Sequence, residues 1–256
     1  MESEHDIPQA QAPAVLAEIQ LKAAEAPPSP PLTDEQREAR QLALEQASAE
    51  LLRNARRWDN RVRWENSCLP GLQSSDWNHA GLTPHRPAID RVLAYQLGSK
   101  GILASGLTGR GKTRAMWSLM YRLGVIEGHD LRYWSATDWF ATLQDKISYG
   151  RDDARGWVET VARRQVVFID DLGQEAVTKA REDWAQSWFF RFLDIRVGEK
   201  LPLFVTTNLK SEQMSARGGS VRGDPLVRRL LDLCEAVAFE TEPERALRVA
   251  RQTRKP

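Results

Sequence analysis

The stretch Gly106-Leu107-Thr108-Gly109-Arg110-Gly111-Lys112-Thr113 is the strongest indication of the fold. It matches the phosphate-binding pattern G-x-x-x-x-G-K-[ST] in full. The short apolar segment 101–105 precedes it and predicts a strand, and apolar residues at helical spacing follow from Arg114 to Tyr121. A strand, a glycine-rich loop and a helix in this order are the context in which such a loop binds phosphate groups.

The residue types of this loop suit the phosphates of a nucleotide. Its glycines allow backbone N–H groups to turn towards phosphate oxygens, and the N-terminus of the following helix adds a partial positive charge. Lys112 is expected to reach the β and γ phosphates, and the Thr113 hydroxyl is expected to hold Mg²⁺. The sequence therefore predicts ATP and Mg²⁺ as cofactors, bound by residues 106–114.

Length, composition and charge limit the remaining classes of protein. With 256 residues and 41% hydrophobic residues, the chain is long enough for one or two domains with a sizeable core. The net charge of +1 does not indicate a polyanion as partner, so any contact with nucleic acid must come from a local patch. Cys68 and Cys234 match no zinc or redox spacing. No signal peptide or membrane span is expected, which predicts a cytoplasmic protein.

The region before the loop divides into a leader and a helix. Residues 1–32 are rich in proline and alanine and predict a disordered leader. Thr33 and Gln36 form a capping box, which predicts a helix from there to about Trp58 within a helical N-terminal region, 33–85. Two interpretations are open, a solvated linker helix or a helix that binds a partner protein. Its thin apolar face consists of Leu42, Leu44, Leu51 and Leu52.

Two acidic residues follow the most apolar segment of the chain, Val166-Val167-Phe168-Ile169. Such a run is typical of a central parallel strand, whose carboxyl end lies beside the phosphate loop in sheets of this kind. Asp170 is then expected to orient a water molecule on Mg²⁺ and so to share the metal site with Thr113. Asp171 is expected to act as the general base for the attacking water. The alternative is an acidic turn that caps a helix.

The remaining pattern alternates strands with helices. Further strands are predicted at 131–135, 201–208 and 236–239, and Asn208 or Thr207 is expected to touch the γ-phosphate or the attacking water. These strands give a parallel five-stranded α/β sheet with helices on both faces. The predicted helices cover 88–95, 137–147 (capped by Thr137 or Asp138), 152–164, 179–196 and 225–233, with a Gly/Arg/Ser loop at 214–223.

From about Arg86 to Glu240 the chain resembles the AAA+ ATPases, and among them the DnaC/IstB group of replicative helicase loaders and transposition helper ATPases. The resemblance rests on GLTGRGKT, VVFIDDLG, LPLFVTTN and VRRLLDLCEAVAF. It implies that Asn208 is the sensor 1 residue. It also implies that Arg229 is an arginine finger acting on a neighbouring subunit's nucleotide, with Arg228 as the competitor for this role. Self-association through the ATPase domain is therefore expected.

The chain departs from many AAA+ proteins in two ways. Asp171 stands where many of them have glutamate, which implies slow hydrolysis. The ATPase domain is assigned to 86–244 and is followed only by a basic tail, 245–256, so no C-terminal lid domain is expected.

The first functional hypothesis is an ATP-dependent helicase loader that binds single-stranded DNA and delivers a replicative helicase. The alternative is a transposition helper that coats double-stranded DNA and recruits a transposase. A small-molecule P-loop kinase fits less well, because the acids and the VTTN strand suit attack by water. An inactive nucleotide switch is a further alternative. Candidate DNA contacts are Arg151, Arg155, Arg217 and Arg222, with Tyr149 and Trp157 as residues that could stack on bases.

Overall fold

The computed structural model describes residues 32–67, 81–173, 179–209 and 219–246, without the side chains of 179–186 and 219–224. The leader, Cys68, Arg217, the Arg222 side chain and the tail beyond 246 lie outside the described residues. The chain divides into two units, 1–49 and 50–256. None of the described helices is long and apolar enough to cross a membrane.

The N-terminal helix, α1, spans Asp34–Ser67 and begins at the predicted capping box. The Gln36 N–H donates to Thr33 Oγ1 at 3.3 Å, and the Thr33 N–H donates to Gln36 Oε1 at 3.0 Å. The prediction that the helix ends near Trp58 is wrong, because its last turns are anchored by Asn60, which is buried, and Trp64, which packs on Tyr121. Its four predicted apolar residues are exposed: Leu42 and Leu44 in the first unit, and Leu51 and Leu52 in the second.

The predicted parallel sheet of five strands is confirmed. The strands are β1 (Gly101–Ser105), β2 (Leu131–Ser135), β3 (Val166–Leu172), β4 (Leu203–Thr207) and β5 (Cys234–Ala238). They lie in the order β2-β3-β4-β1-β5, and every neighbouring pair is parallel. All five residues of β4 and the first five of β3 are buried, as expected of strands covered on both faces.

The helices follow the strands as the pattern predicts, with shifted ends. They are α2 (Arg86–Leu93), α3 (Lys112–Met120), α4 (Ala136–Tyr149), α5 (Arg151–Ala162), α6 (Lys179–Glu199) and α7 (Gly219–Leu233). The N-cap of α4 is Ser135, not Thr137 or Asp138: its Oγ accepts from the Asp138 N–H at 3.0 Å. The predicted loop 214–223 is helical from Gly219, so that Pro225 lies inside α7.

The core consists of two layers, one on each face of the sheet. Alternate strand residues enter different layers: Phe168 and Phe204 join α2 and α3, whereas Ile169 and Val205 join α4, α5 and α6. The predicted inward residues of α6 that the structure describes are buried, namely Trp188, Phe189, Phe192 and Leu193. The helices thus fix the sheet rigidly, and the loops at the carboxyl ends of β1, β3 and β4 are left to form a site.

Candidate nucleotide-binding site

The sheet topology brings the predicted site residues together at one edge. β1 pairs with β4, and β4 pairs with β3, so the ends of these three strands are neighbours. The phosphate loop follows β1, the two acids end β3, and Asn208 follows β4. Residues up to 102 positions apart in sequence (Gly106 and Asn208) therefore share one edge of the sheet.

The backbone of the phosphate loop requires glycine. Gly111 has a φ of 86° and caps α3, and a Cβ there would lie 2.8 Å from Leu82 Cδ2. Gly106 has a φ of 145°, and a Cβ there would lie 2.8 Å from the Phe239 carbonyl oxygen. A side chain at either position would both strain the backbone and clash with a neighbour. The loop conformation, with the N-terminus of α3 at its end, fits a phosphate group.

Lys112 holds a buried ammonium group at the centre of the site. Its side chain is 4% exposed. Nζ donates to the Leu107 carbonyl oxygen at 2.9 Å and to Asn208 Oδ1 at 2.7 Å. Burial lowers the pKa of Lys112, and the nearby carboxylates of Asp171 and Asp170 oppose this shift. Because both hydrogen-bond acceptors are neutral, the charge of this ammonium fits an anionic ligand such as phosphate.

Asp170 is the buried acid of the site. Thr113 Oγ1 donates to its Oδ1 at 3.0 Å, and Thr206 Oγ1 donates to the same oxygen. Burial raises the pKa of Asp170, and the hydrogen bond from Thr206 opposes this shift. A hydroxyl and a carboxylate oxygen side by side fit Mg²⁺, which takes one or two protein oxygens and completes its shell with phosphate and water. Among the described residues no three His, Cys, Asp or Glu side chains cluster as an all-protein metal site.

Asp171 lies where the pairing of β3 with β4 becomes irregular. The register shifts between Ile169 and Leu172, and Asp171 has a φ of 56°. Its N–H donates to Thr206 Oγ1 at 2.8 Å, which holds this left-handed conformation. Strained backbone of this kind occurs where a side chain must be aimed, and aspartate tolerates it better than most residues.

The end of β4 separates the two candidates for the residue that senses the γ-phosphate. Thr207 is fully buried, donates to the Leu172 carbonyl oxygen at 2.7 Å and accepts from the Leu209 N–H at 3.1 Å. Its hydroxyl is thus used within the sheet edge, whereas Asn208 contacts Lys112. Thr206 is not among the predicted site residues, although a polar residue inside an apolar central strand beside the acids is a signal for such a role.

Arg110 connects the phosphate loop to the segment that follows β5. Its guanidinium donates to the Phe239 carbonyl oxygen at 2.7 Å and to both oxygens of Glu244 at 2.7 and 2.8 Å. Glu244 also accepts from the N–H and hydroxyl of Thr241, and these bonds, the one from Arg110 first, lower its pKa to about 2. The side chain of Arg110 thus ties the segment after β5 to the loop, and only its N–H remains for phosphate.

Two further polar residues adjoin the loop. His85 is 5% exposed, and burial, with the charge of Arg110, lowers its pKa. The T-x-x-E spacing of Thr241 and Glu244 is a local signal for their capping box. The bond between Glu244 and Arg110 has no local signal, because the two residues lie 134 positions apart. Arg114 lies in the first turn of α3 and is half-buried.

The described arginines among those predicted for other roles lie on α5 and α7. Arg229, on α7, pairs with Asp194 on α6 and lies over the ring of Phe190, whereas Arg228 is exposed. Arg151 and Arg155 are exposed on α5, near Tyr149, which is 78% exposed. Trp157 is half-buried on α5, where its ring packs against Trp134 and Trp139, and its stacking on bases stays a prediction.

Comparisons with known proteins agree with this architecture. The model of the family described as IstB-like ATP binding protein matches residues 33–252. The structure is similar to that of the DnaC helicase loader, with 20% identity, a TM-score of 0.51, and coverage of 70% of this chain and 99% of that chain. It is also similar to DnaI (23%, 0.48, 67% and 94%) and to AMPPCP-bound DnaA from Aquifex aeolicus (17%, 0.46, 62% and 47%). None of the curated proteins compared with the chain matches it.

Proposed function

Because the chain belongs to the family of IstB-like ATP-binding proteins, we propose that it is an ATP-hydrolysing loader that binds single-stranded DNA and delivers a replicative helicase. The observation that carries the ATPase assignment is the convergence of Lys112, Thr113, Asp170 and Asn208 at one sheet edge. A DnaC/IstB-type α/β ATPase fold surrounds this site. ATP is the substrate and Mg²⁺ the metal cofactor.

Binding depends on the loop and on Lys112. The backbone N–H groups of the loop and the N-terminus of α3 surround the β-phosphate, and the ammonium of Lys112 exchanges its neutral partners for phosphate oxygens. Thr113 and Asp170 would hold Mg²⁺, which would neutralise phosphate charge when bound. Asn208, which accepts a hydrogen bond from Lys112, is proposed to contact the γ-phosphate or the attacking water.

Hydrolysis is assigned to Asp171. Its carboxylate accepts a proton from the attacking water, and its backbone is fixed by Thr206 for this task. Asp171→Asn should keep ATP affinity in calorimetry and lower the steady-state rate of phosphate release. A variant that hydrolyses ATP at the parental rate would assign the base to another group.

The partner surface is assigned to the exposed apolar residues of α1 in the second unit. Leu51, Leu52 and Trp58 are 60–71% exposed, while Asn60 and Trp64 hold other parts of the helix against the ATPase core. Apolar side chains grouped on one surface mark protein contacts more often than single ones do. The loader should therefore co-purify with a hexameric helicase, and the triple variant Leu51→Ser/Leu52→Ser/Trp58→Ser should not.

The second candidate is a transposition helper, which the match to the IstB-like family favours. Its ATPase chemistry is the same, and the partner is a transposase bound to double-stranded DNA. Capture of a transposase in place of a helicase by the wild-type chain, lost in the same triple variant, would establish this function.

A further inference from the structure

We propose that Asp194 and Phe190 are positioning residues for Arg229, which they orient towards the phosphates of a nucleotide bound by a second copy of this chain. The inference rests on the proposed function, because it requires ATP at an interface between copies. It assigns work to two residues of α6 that no part of the phosphate loop touches.

Arg229 contacts a carboxylate and an aromatic ring of α6. Nε donates to Asp194 Oδ1, and the central carbon lies 5.0 Å from the centre of the Phe190 ring. Phe190 and Asp194 are four residues apart on α6 and therefore share one helix face. A hydrogen bond through Nε together with an aromatic ring beside the guanidinium restricts the rotation of this side chain.

The terminal nitrogens of Arg229 make no hydrogen bond with the residues that the structure describes. These nitrogens are the donors that bind phosphate oxygens in pairs. Arg228 is exposed and has neither a carboxylate nor a ring as partner within the described ranges. The geometry therefore selects Arg229 over its neighbour, which the sequence alone does not.

The location of Arg229 excludes the nucleotide of its own subunit. Lys100 Nζ donates to the Leu231 carbonyl oxygen at 3.1 Å, which places this turn of α7 beside the start of β1. The phosphate loop follows the other end of β1, and five strand residues at about 3.3 Å each separate the two ends. A surface groove on α6 includes both residues that contact Arg229; it is lined by Ser187, Phe190, Arg191, Asp194 and Ile195.

A mixture of two inactive variants tests the inference. The donor carries Lys112→Ala and keeps Arg229, and the acceptor carries Arg229→Ala and keeps Lys112. Mixing them should restore ATP hydrolysis in the acceptor's loop. Adding Asp194→Ala to the donor should lower the restored kcat by about 10²-fold, as misplacement of a reacting group does, with KM unchanged. Asp194→Ala in the acceptor should leave the restored kcat unchanged.

Matched variants separate positioning from stability. In the donor, Phe190→Leu should lower the restored rate and Phe190→Tyr should keep it, because tyrosine retains the ring. Glu199→Ala on the same helix removes an exposed ion pair to Arg163, away from Arg229, and should keep the rate. Thermal melting should be unchanged by Asp194→Ala, because exposed ion pairs contribute little to stability.

The outcomes distinguish the two proposals. A donor–acceptor mixture without any gain would overturn hydrolysis across an interface, and with it this inference. If the mixture gains activity and the Asp194→Ala donor gains as much, the positioning role is overturned while the proposed ATPase function stands. An equal loss from Asp194→Ala in either subunit would also overturn it, since only a general structural effect acts in both.

Discussion

At the scale of single residues, the clearest expected effect is the loss of ATP affinity on removal of the buried Lys112 ammonium. Its two neutral partners leave its charge for the phosphates, and a charge-assisted bond of this kind contributes about 1.5–3 kcal/mol. Lys112→Ala should therefore weaken ATP binding by roughly 10- to 150-fold in calorimetry. Lys100→Ala is the control: it removes a lysine at the far end of β1 and should leave the affinity unchanged.

Asp170 is predicted to weaken the apo protein at neutral pH. Burial raises its folded pKa above the unfolded value, so the ionised carboxylate lowers stability once the pH exceeds the unfolded pKa. Asp170→Asn keeps an acceptor for Thr113 and Thr206 and removes the charge. It should raise the melting temperature of the apo protein at pH 7, with the gain vanishing at low pH, and it should weaken Mg²⁺-dependent ATP binding. A lower melting temperature at pH 7 would contradict this account.

The sequence predicts the site residues that carry a local signature and misses those that depend on pairing. Lys112 and Thr113 belong to a contiguous motif, and Asp170 ends a contiguous apolar strand. Thr206 and Glu244 act through partners 36 and 134 positions away, respectively. Register and loop path decide such contacts, and neither can be derived from spacing along the chain.

At the scale of elements, Asn60 supplies hydrogen bonds at the junction between α1 and the end of α3, beside the packing of Trp64 on Tyr121. After α3 the chain forms a π-helical turn, Tyr121–Ile126, in which carbonyl groups lose their usual α-helical partners. Asn60 Nδ2 donates to the carbonyl oxygens of Gly124 at 3.0 Å and of His129 at 2.8 Å. The length of α1 could not be predicted, because these anchors lie more than 60 positions further along the chain.

Asn60→Leu should destabilise the second unit. It removes the Asn60 donor from the buried Gly124 carbonyl and the half-buried His129 carbonyl, and an unsatisfied buried group costs about 1–3 kcal/mol. The free energy of unfolding in urea should fall by that order, with ATP affinity kept once the protein is folded. Asn54→Leu on the same helix is the matched control, since Asn54 is exposed and bonds only to Arg57 among the described residues. Equal stability of the two variants would show that the junction does not depend on Asn60.

At the scale of the whole molecule, the sequence predicts the parallel sheet and its covering helices, because strands and helices alternate with clear periodicity. The strand order β2-β3-β4-β1-β5 and the pairing of Arg229 with Asp194 come only from the structure. Both depend on which elements become neighbours after collapse. Local sequence patterns limit which elements can become neighbours, but they do not determine it.

The exposed arginines of α5 are the candidate contacts for DNA on the ATPase core. Arg151 and Arg155 lie one turn apart on α5, both exposed, beside the exposed ring of Tyr149. Each phosphate contact to a single strand contributes about 0.7 to the slope of log K against log salt. If both arginines bind phosphates, Arg151→Ala/Arg155→Ala should lower the magnitude of that slope by about 1.4 in fluorescence titrations. Tyr149→Ala should weaken binding at all salt concentrations with the slope unchanged, because stacking releases no counterions.

The control pair is Arg86→Ala/Arg163→Ala, which removes two exposed arginines already paired with Asp90 and Glu199. Because their charges are partly neutralised within the protein, the slope should stay at the parental value. If the α5 double variant also keeps the parental slope, Arg151 and Arg155 do not contact DNA phosphates. In the same titration with double-stranded DNA, the expected loss is about 1.8, at about 0.9 for each contact. Tighter binding of the wild-type chain to the single-stranded probe would favour the loader, and tighter binding to the double-stranded probe would favour the transposition helper.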